Sequence, residues 1–198
     1  MTNPERIAML NGFLEDLRAY SKQYPALVHS WRFGVSAVWA MKRYYDLASI
    51  APPLPQTDAQ AYLEDTERNA SAFVEGKAPS PDWERGFWYN AAVMRMDALW
   101  ERLFKFGRPQ EKKSNGEKLY ACIACQTDVL PTKYQGSALE RVRRTVNDLK
   151  HEPGGVRTEQ LEDSDLPAEA MNLLLRVLQE PVLTGVLQQQ GTGRSSRT

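Results

Sequence analysis

Apolar residues recur every three or four positions along most of the chain, which is the spacing of one face of an α-helix. The first such stripe consists of Ile7, Leu10, Phe13 or Leu14, Leu17 and Tyr20. Asn3 is a suitable N-cap for this helix, and Pro4 fits its first turn because a proline there loses no hydrogen bond. The pattern therefore predicts a first amphipathic helix that begins at Asn3.

Two more helices are predicted in the next part of the chain. Pro25 can begin the second helix, which the apolar pattern extends to about Ser49. Its predicted buried side consists of Phe33, Ala37, Val38, Met41, Tyr45 and Ala48. A cluster of prolines then predicts an extended connector, because proline cannot donate a hydrogen bond within a helix. Thr57 or Asp58 can cap a third, more acidic helix that ends near Gly76.

The strongest helical pattern follows, with Ser80 as its cap, Pro81 as its first residue and Gly107 as its stop. Large apolar residues lie around most of its circumference: Trp83, Phe87, Trp88, Met94, Leu99, Trp100, Leu103 and Phe104. A helix that is apolar nearly all round is packed by neighbours on several sides. We therefore expect this helix to be the central one of the fold.

The last two helices have clear local signals. Ser137 and Glu140 have the spacing of a capping box and open a helix that runs to His151. Ser164 or Asp165 can cap the final helix, over Pro167–Glu180. Alternating strand patterns and internal repeats are missing from the sequence. We therefore predict an all-α fold, an antiparallel bundle of five or six helices.

Composition fits one globular domain. The chain has 198 residues, 42% of them apolar, and a formal net charge of zero. These values exclude global disorder and broad, charge-driven coating of nucleic acid. We expect one domain over residues 1–190 and a disordered tail over 191–198. The chain also lacks a secretory signal pattern and an apolar stretch long enough for a membrane span, so we expect a cytoplasmic protein without membrane contact.

The two cysteines and the first of two histidines carry no strong functional signal. Cys122 and Cys125 have half of a zinc-site spacing, but nothing in the sequence places two further ligands beside them. They are best interpreted as free thiols, and His29 as a structural residue with a hydrogen-bond partner. The sequence therefore predicts neither a metal site nor a bound cofactor.

The segment from 137 to 151 carries the candidate chemistry. At helical spacing, one side of it is apolar and consists of Leu139, Val142, Val146 and Leu149. The other side consists of Arg144, Asn147, Asp148 and His151. An imidazole can transfer a proton near neutral pH, and a guanidinium matches the geometry of phosphate oxygens. Arg141, Arg143 and Lys150 add positive charge for binding a substrate, so this helix suits phosphodiester chemistry.

This segment resembles the R-x(4–6)-H motif of the HEPN superfamily, the higher eukaryotes and prokaryotes nucleotide-binding domains. Six residues separate Arg144 from His151, and RRTVNDLKH is similar to the Arg…Asn-x-x-Lys-His form of many prokaryotic members. GFWYNAAVMRMDALWERLFKF resembles the long central helix of that family. The resemblance covers Pro81–His151 at the level of motifs and implies a helical bundle.

The resemblance implies a metal-independent endoribonuclease of RNA processing, phage defence or a toxin–antitoxin system. Arg144 would bind the scissile phosphate, His151 would act as acid or base while the RNA 2′-hydroxyl attacks, and Asn147 would position groups. Such sites form where two domains meet, which implies a homodimer and allows an antitoxin or another defence protein as a partner. Asn90, Asp97 and Asp148 would contact the motif residues and hold them in position without touching the substrate.

Purely structural interpretations remain open for the same residues. The polar side of the motif helix can be a solvated surface, and His151 can offset the negative end of the helix dipole. Asn90 and Asp97 can make structural hydrogen bonds to a neighbouring helix. The chain can therefore also be an inactive HEPN-like module for dimerisation or for nucleotide or RNA binding. A helical scaffold protein with no nucleic-acid role is the third alternative.

Overall fold

The computed structural model describes residues 2–50, 59–106, 137–151 and 165–179. These ranges contain six α-helices and no strand, which confirms the predicted all-α bundle. The helices are α1 (Asn3–Gln23), α2 (Val28–Ala48), α3 (Ala59–Val74), α4 (Pro81–Phe106), α5 (Ala138–His151) and α6 (Leu166–Leu178). A short 3₁₀ turn, Pro25–Leu27, connects α1 to α2.

The start of the first helix differs from the prediction by one residue. Thr2, not Asn3, is the N-cap of α1. The backbone N–H of Thr2 donates to Oε2 of Glu5 at 2.7 Å, and the backbone N–H of Arg6 donates to the Thr2 carbonyl at 3.1 Å. Thr2 is favoured because a glutamate follows it by three residues, whereas an arginine follows Asn3 by three.

Helix α4 is central, as predicted. It packs on α2 along most of its length and contacts α5 and α6 with another side. Leu99, Trp100 and Leu103 are completely buried in this core. The expectation of an apolar surface buried all round is wrong in one sector, because Phe87 is 53% exposed and Met94 is 45% exposed.

A close approach of three helices occurs at Gly34 of α2. A Cβ atom at this position would lie 3.0 Å from a methyl carbon of Leu17 and 3.2 Å from a methyl carbon of Leu99. Leucines of α1 and α4 thus pack directly over the backbone of α2. A side chain at this position would therefore push the two leucines outward by a few tenths of an ångström.

The buried side of α2 extends beyond the predicted stripe. Of the predicted positions, Ala37, Val38, Met41 and Tyr45 are buried, while Phe33 and Ala48 are half-buried. The structure adds the buried residues Trp31, Gly34, Ala40, Tyr44 and Leu47. The helix buries more of its circumference than one stripe because α1 and α4 contact it from different directions.

Some predictions concern residues outside the described ranges. They include the proline-rich connector, Cys122 and Cys125, and the tail over 191–198. They also include the caps Thr57 or Asp58 and Ser164, the stop at Gly107, and the helix end at Glu180. Among the helices that the structure describes, none is long and apolar enough to cross a lipid bilayer.

Candidate functional site

The candidate motif lies on α5, whose formation follows from its own sequence. The backbone N–H of Glu140 donates to Oγ of Ser137 at 3.2 Å, as predicted for the serine of a capping box. Leu139 and Val142 are fully buried, and Val146 is 2% exposed. This apolar side anchors α5 on the core and turns its other side outward.

Two of the three motif residues have described side chains, and both are exposed. Arg144 and Asn147 lie on the outer side of α5, with Asp148 half-buried beside them. The helix continues to His151, which follows Asn147 by four residues and therefore by one turn. The side chains of Lys150 and His151 lie outside the described part of the chain.

The arginines of α5 bind partners on three different helices. Arg141 forms an ion pair with Glu169 of α6. Arg144 forms one with Glu140, one turn earlier on α5 itself, at 2.5 Å. The pairing of Arg141 links two helices, whereas that of Arg144 holds no second helix in place.

Arg143 joins α5 to the central helix. Its Nε lies 3.2 Å from Oδ1 of Asp97, and its Nη2 donates to Oε1 of Glu101 at 2.8 Å. The side chains of Arg143 and Asp97 are only 20% and 10% exposed. Asp97 thus contacts the motif helix, a position that fits both a supporting role for the motif and a structural link between helices.

Asp97 belongs to a stripe on α4 that runs beside α5. Its members are three or four residues apart and therefore share one side of the helix: Phe87, Asn90, Met94, Asp97 and Glu101. Asn90 is half-buried in the middle of it. At the exposed end, the Phe87 ring stacks on Trp83 with centroids 6.1 Å apart. Exposed apolar side chains therefore lie on the same side of α4 as the ion pairs that hold the motif helix, with Met94 one turn from Asp97.

The sequence did not predict a cleft between α2 and α4. A cleft of about 440 Å³ lies between α2 and α4 and is lined by His29, Arg32, Phe33, Ser36, Arg95 and Arg102. His29, interpreted above as a structural residue, is exposed at this cleft. The helical spacing of these residues was visible in the sequence, but the pairing of α2 with α4 was not.

Further along the same interface, an ion pair joins α2 and α4 across the groove between the two helices. Arg43 donates from Nη2 to Oε1 of Glu84 at 2.8 Å, and the Trp88 indole donates to the same oxygen at 3.0 Å. Burial alone raises the pKa of Glu84, but the hydrogen bonds from Trp88 and Arg43 outweigh it and lower that pKa. The groove therefore has a neutralised end at Arg43 and a basic end at the cleft.

No group of three or more His, Cys, Asp or Glu side chains in the described ranges is arranged to hold a metal ion. Comparison of the chain with protein-family models, with curated proteins and with solved structures finds no match.

Proposed function

We propose that this chain is a HEPN-like, metal-independent endoribonuclease that acts in RNA processing, phage defence or a toxin–antitoxin system. Arg144, Asn147 and His151 are its catalytic residues. The proposal combines the motif resemblance of α5 with the outward direction of Arg144 and Asn147. Groups that bind a substrate must be accessible, and the opposite side of the same helix is buried.

The observation that carries the proposal is the difference between Arg143 and Arg144. Arg143 is bound to two carboxylates of α4 and is largely buried. Arg144 is 64% exposed, and its partner Glu140 lies on the same helix. An exposed pair at this spacing contributes only about 0.3–0.5 kcal/mol, so a phosphate can replace Glu140 at little cost. Arg144 is thus the arginine of the pair that is available to RNA.

The proposed reaction is an internal transfer at phosphorus. The RNA 2′-oxygen attacks its own phosphate while a base removes the hydroxyl proton, and the bond from phosphorus to the 5′-oxygen breaks as that oxygen receives a proton. The products are a 2′,3′-cyclic phosphate and a 5′-hydroxyl. Arg144 stabilises the charge that develops on the phosphate oxygens, and His151 transfers a proton. Asn147, between them on α5, positions the substrate.

A homodimer supplies the second proton-transfer group. The sequence has two histidines, and His29 lies on α2 at the α2–α4 cleft. Two copies that meet beside α5 bring two His151 residues to one site. Phe87 and Met94 favour this arrangement because they are exposed on the side of α4 that contacts α5. An antitoxin or another defence protein would cover the same side.

A cleavage assay tests the proposal. Total RNA and transfer RNA are incubated with wild type, Arg144→Ala and His151→Ala in the presence of a chelator. Arg18→Ala is the matched control, because Arg18 is an exposed arginine of α1. We expect cleavage by wild type and by the control, and loss of cleavage in both motif variants with an unchanged circular dichroism spectrum.

A non-catalytic HEPN-like module for dimerisation or for nucleotide or RNA binding is the second candidate. The observation that favours it is the use of Arg141 and Arg143 in ion pairs to α6 and α4, because these contacts serve packing. It predicts a folded dimer or RNA complex without cleavage by wild type. A monomer that neither binds nor cleaves RNA would instead indicate a helical scaffold protein.

A further inference from the structure

The α2–α4 cleft has the charge of an anion-binding site. Arg32, Arg95 and Arg102 line it and are exposed. Within the described ranges, no carboxylate forms an ion pair with these three arginines, and no acidic residue lines the cleft. This differs from Arg43 in the same groove, whose charge is neutralised by Glu84. The cleft therefore holds a concentrated positive charge that favours phosphate groups.

Phe33 holds two of these guanidinium groups in place. The Cζ atom of Arg102 lies 4.5 Å from the centre of its ring, and that of Arg95 lies 5.7 Å away. A cation–π contact orients a guanidinium without neutralising its charge. Both groups thus converge on one ring while they keep donors for a ligand, which lowers the ordering cost of binding.

An exposed tryptophan lies one helical turn from the cleft. Trp39 follows Ser36, which lines the cleft, by three residues on α2, so the two are neighbours on the helix surface. The Trp39 side chain is 75% exposed. Exposed aromatic rings beside a basic groove are the means by which proteins bind single-stranded nucleic acid, because bases stack on the rings.

We infer that the α2–α4 cleft binds single-stranded RNA. Phosphates contact Arg32, Arg95 and Arg102, and a base stacks on Trp39. The inference rests on the proposed function in one respect, the choice of RNA as the nucleic acid.

The cleft and the motif helix occupy different sides of α4. Arg95 precedes Asp97 by two residues, and at about 100° per residue the two point to nearly opposite sides of the helix. Asp97 contacts α5, whereas Arg95 faces the cleft. The cleft is thus a second RNA-binding surface that holds a strand without taking part in its cleavage.

Fluorescence anisotropy with a labelled 2′-O-methyl oligouridine tests the inference, because this RNA lacks the free 2′-hydroxyl and is not cleaved by the proposed reaction. We expect Arg95→Ala/Arg102→Ala to weaken binding at least tenfold and to reduce its dependence on salt. We expect Trp39→Ala to weaken binding about tenfold, as for a lost base stack. Arg18→Ala should leave the affinity unchanged.

Three results with the variants and wild type, and one result from competition, would overturn the inference. The first is wild-type affinity in Arg95→Ala/Arg102→Ala, and the second is the absence of any binding by wild type. The third is a change of oligomeric state in Trp39→Ala without a change in affinity, which would make the surface a contact between copies. Competition with UMP separates the ligands: an excess that displaces the oligonucleotide completely would indicate a nucleotide site and contradict a strand-binding one.

The proposed nuclease activity can fail independently of the cleft. Binding lost in the cleft variants, with no cleavage of ordinary RNA by wild type, would support the cleft and contradict the nuclease. Cleavage lost in Arg144→Ala, with binding retained in the cleft variants, would support the nuclease and contradict the cleft.

Discussion

Arg143 of α5 and Asp97 of α4 form an ion pair at 3.2 Å, with the two side chains only 20% and 10% exposed. The next residue, Arg144, points away from this contact and is 64% exposed. Neighbouring arginines of one helix therefore serve different purposes. Arg143 fixes the orientation of α5, and that orientation directs Arg144 outward.

Substitution of the two arginines should lower the stability of the fold to different degrees. Arg143→Met removes a largely buried guanidinium that pairs with two carboxylates of α4, and it should lower the free energy of unfolding by about 1.5–3 kcal/mol. Arg144→Met removes an exposed pair within one helix and should change it by less than about 0.5 kcal/mol. Urea denaturation measures both values. Equal effects of the two substitutions would contradict the structural role of Arg143.

Two glycines in helix interiors should respond in opposite directions to alanine. A Cβ at Gly12 meets no atom within 4 Å, so Gly12→Ala should stabilise the protein by up to about 1 kcal/mol through helix propensity. Gly34→Ala gains the same propensity but places its Cβ against Leu17 and Leu99, and overpacking costs about 1–3 kcal/mol. We expect a lower melting temperature for Gly34→Ala. Stabilisation by both substitutions would show that the three helices have room to separate.

The Glu84 carboxylate should make stability depend on pH in the acid range. Its pKa lies below the ordinary value of 4.5, so the folded state favours the ionised form. The resulting stability is fully present above pH 4.5 and is lost as the pH falls through the lower pKa of the folded state. Glu84→Gln should thus be less stable than wild type at pH 7, with a difference that shrinks below pH 4.5.

Thermal unfolding across this pH range measures the effect of Glu84→Gln. Glu15→Gln, at an exposed carboxylate of α1, is the control and should follow the wild-type curve. A constant difference between Glu84→Gln and wild type from pH 7 to pH 3 would contradict a stabilising role for the ionised form of Glu84.

If the proposed dimer forms beside α5, a new charge should disrupt it at Met94 but not at an exposed apolar residue elsewhere. Met94→Glu places a carboxylate in the expected contact between copies and should convert dimer to monomer. Phe73→Glu alters another exposed apolar residue, on α3, and should leave the dimer intact. Light scattering during gel filtration gives the mass of each. A dimer that tolerates Met94→Glu would place the contact elsewhere.

Local signals explain which parts of the fold were predictable. The serine cap at Ser137 and the apolar spacing of Leu139, Val142 and Val146 depend on residues within a few turns, and both were predicted correctly. The partners of Arg143 were not predictable, because they depend on where Asp97 and Glu101 of another helix lie. The pair of Arg144 with Glu140 is local, within one turn of α5. Helical spacing predicts which side of a helix is buried, but it does not identify the helix that packs against that side.

The same limit explains the missed cleft and the exposed apolar residues. Phe33 appeared in the sequence as a core residue of α2, and its contacts with Arg95 and Arg102 depend on the alignment of α2 with α4. Phe87 and Met94 were expected in the core because α4 is apolar nearly all round. Their exposure shows that no described helix covers that sector of α4, which is where the proposal places a second copy.

The most direct test of the proposed function is a single-turnover cleavage measurement in a chelator, with product ends identified by mass spectrometry. The substrates are an RNA oligonucleotide and its 2′-deoxy equivalent. We expect a 2′,3′-cyclic phosphate from the RNA, no cleavage of the deoxy substrate, and a rate at least about a hundredfold lower in folded Arg144→Ala. Cleavage of both substrates, or an unchanged rate in Arg144→Ala, would contradict the role of α5 in catalysis.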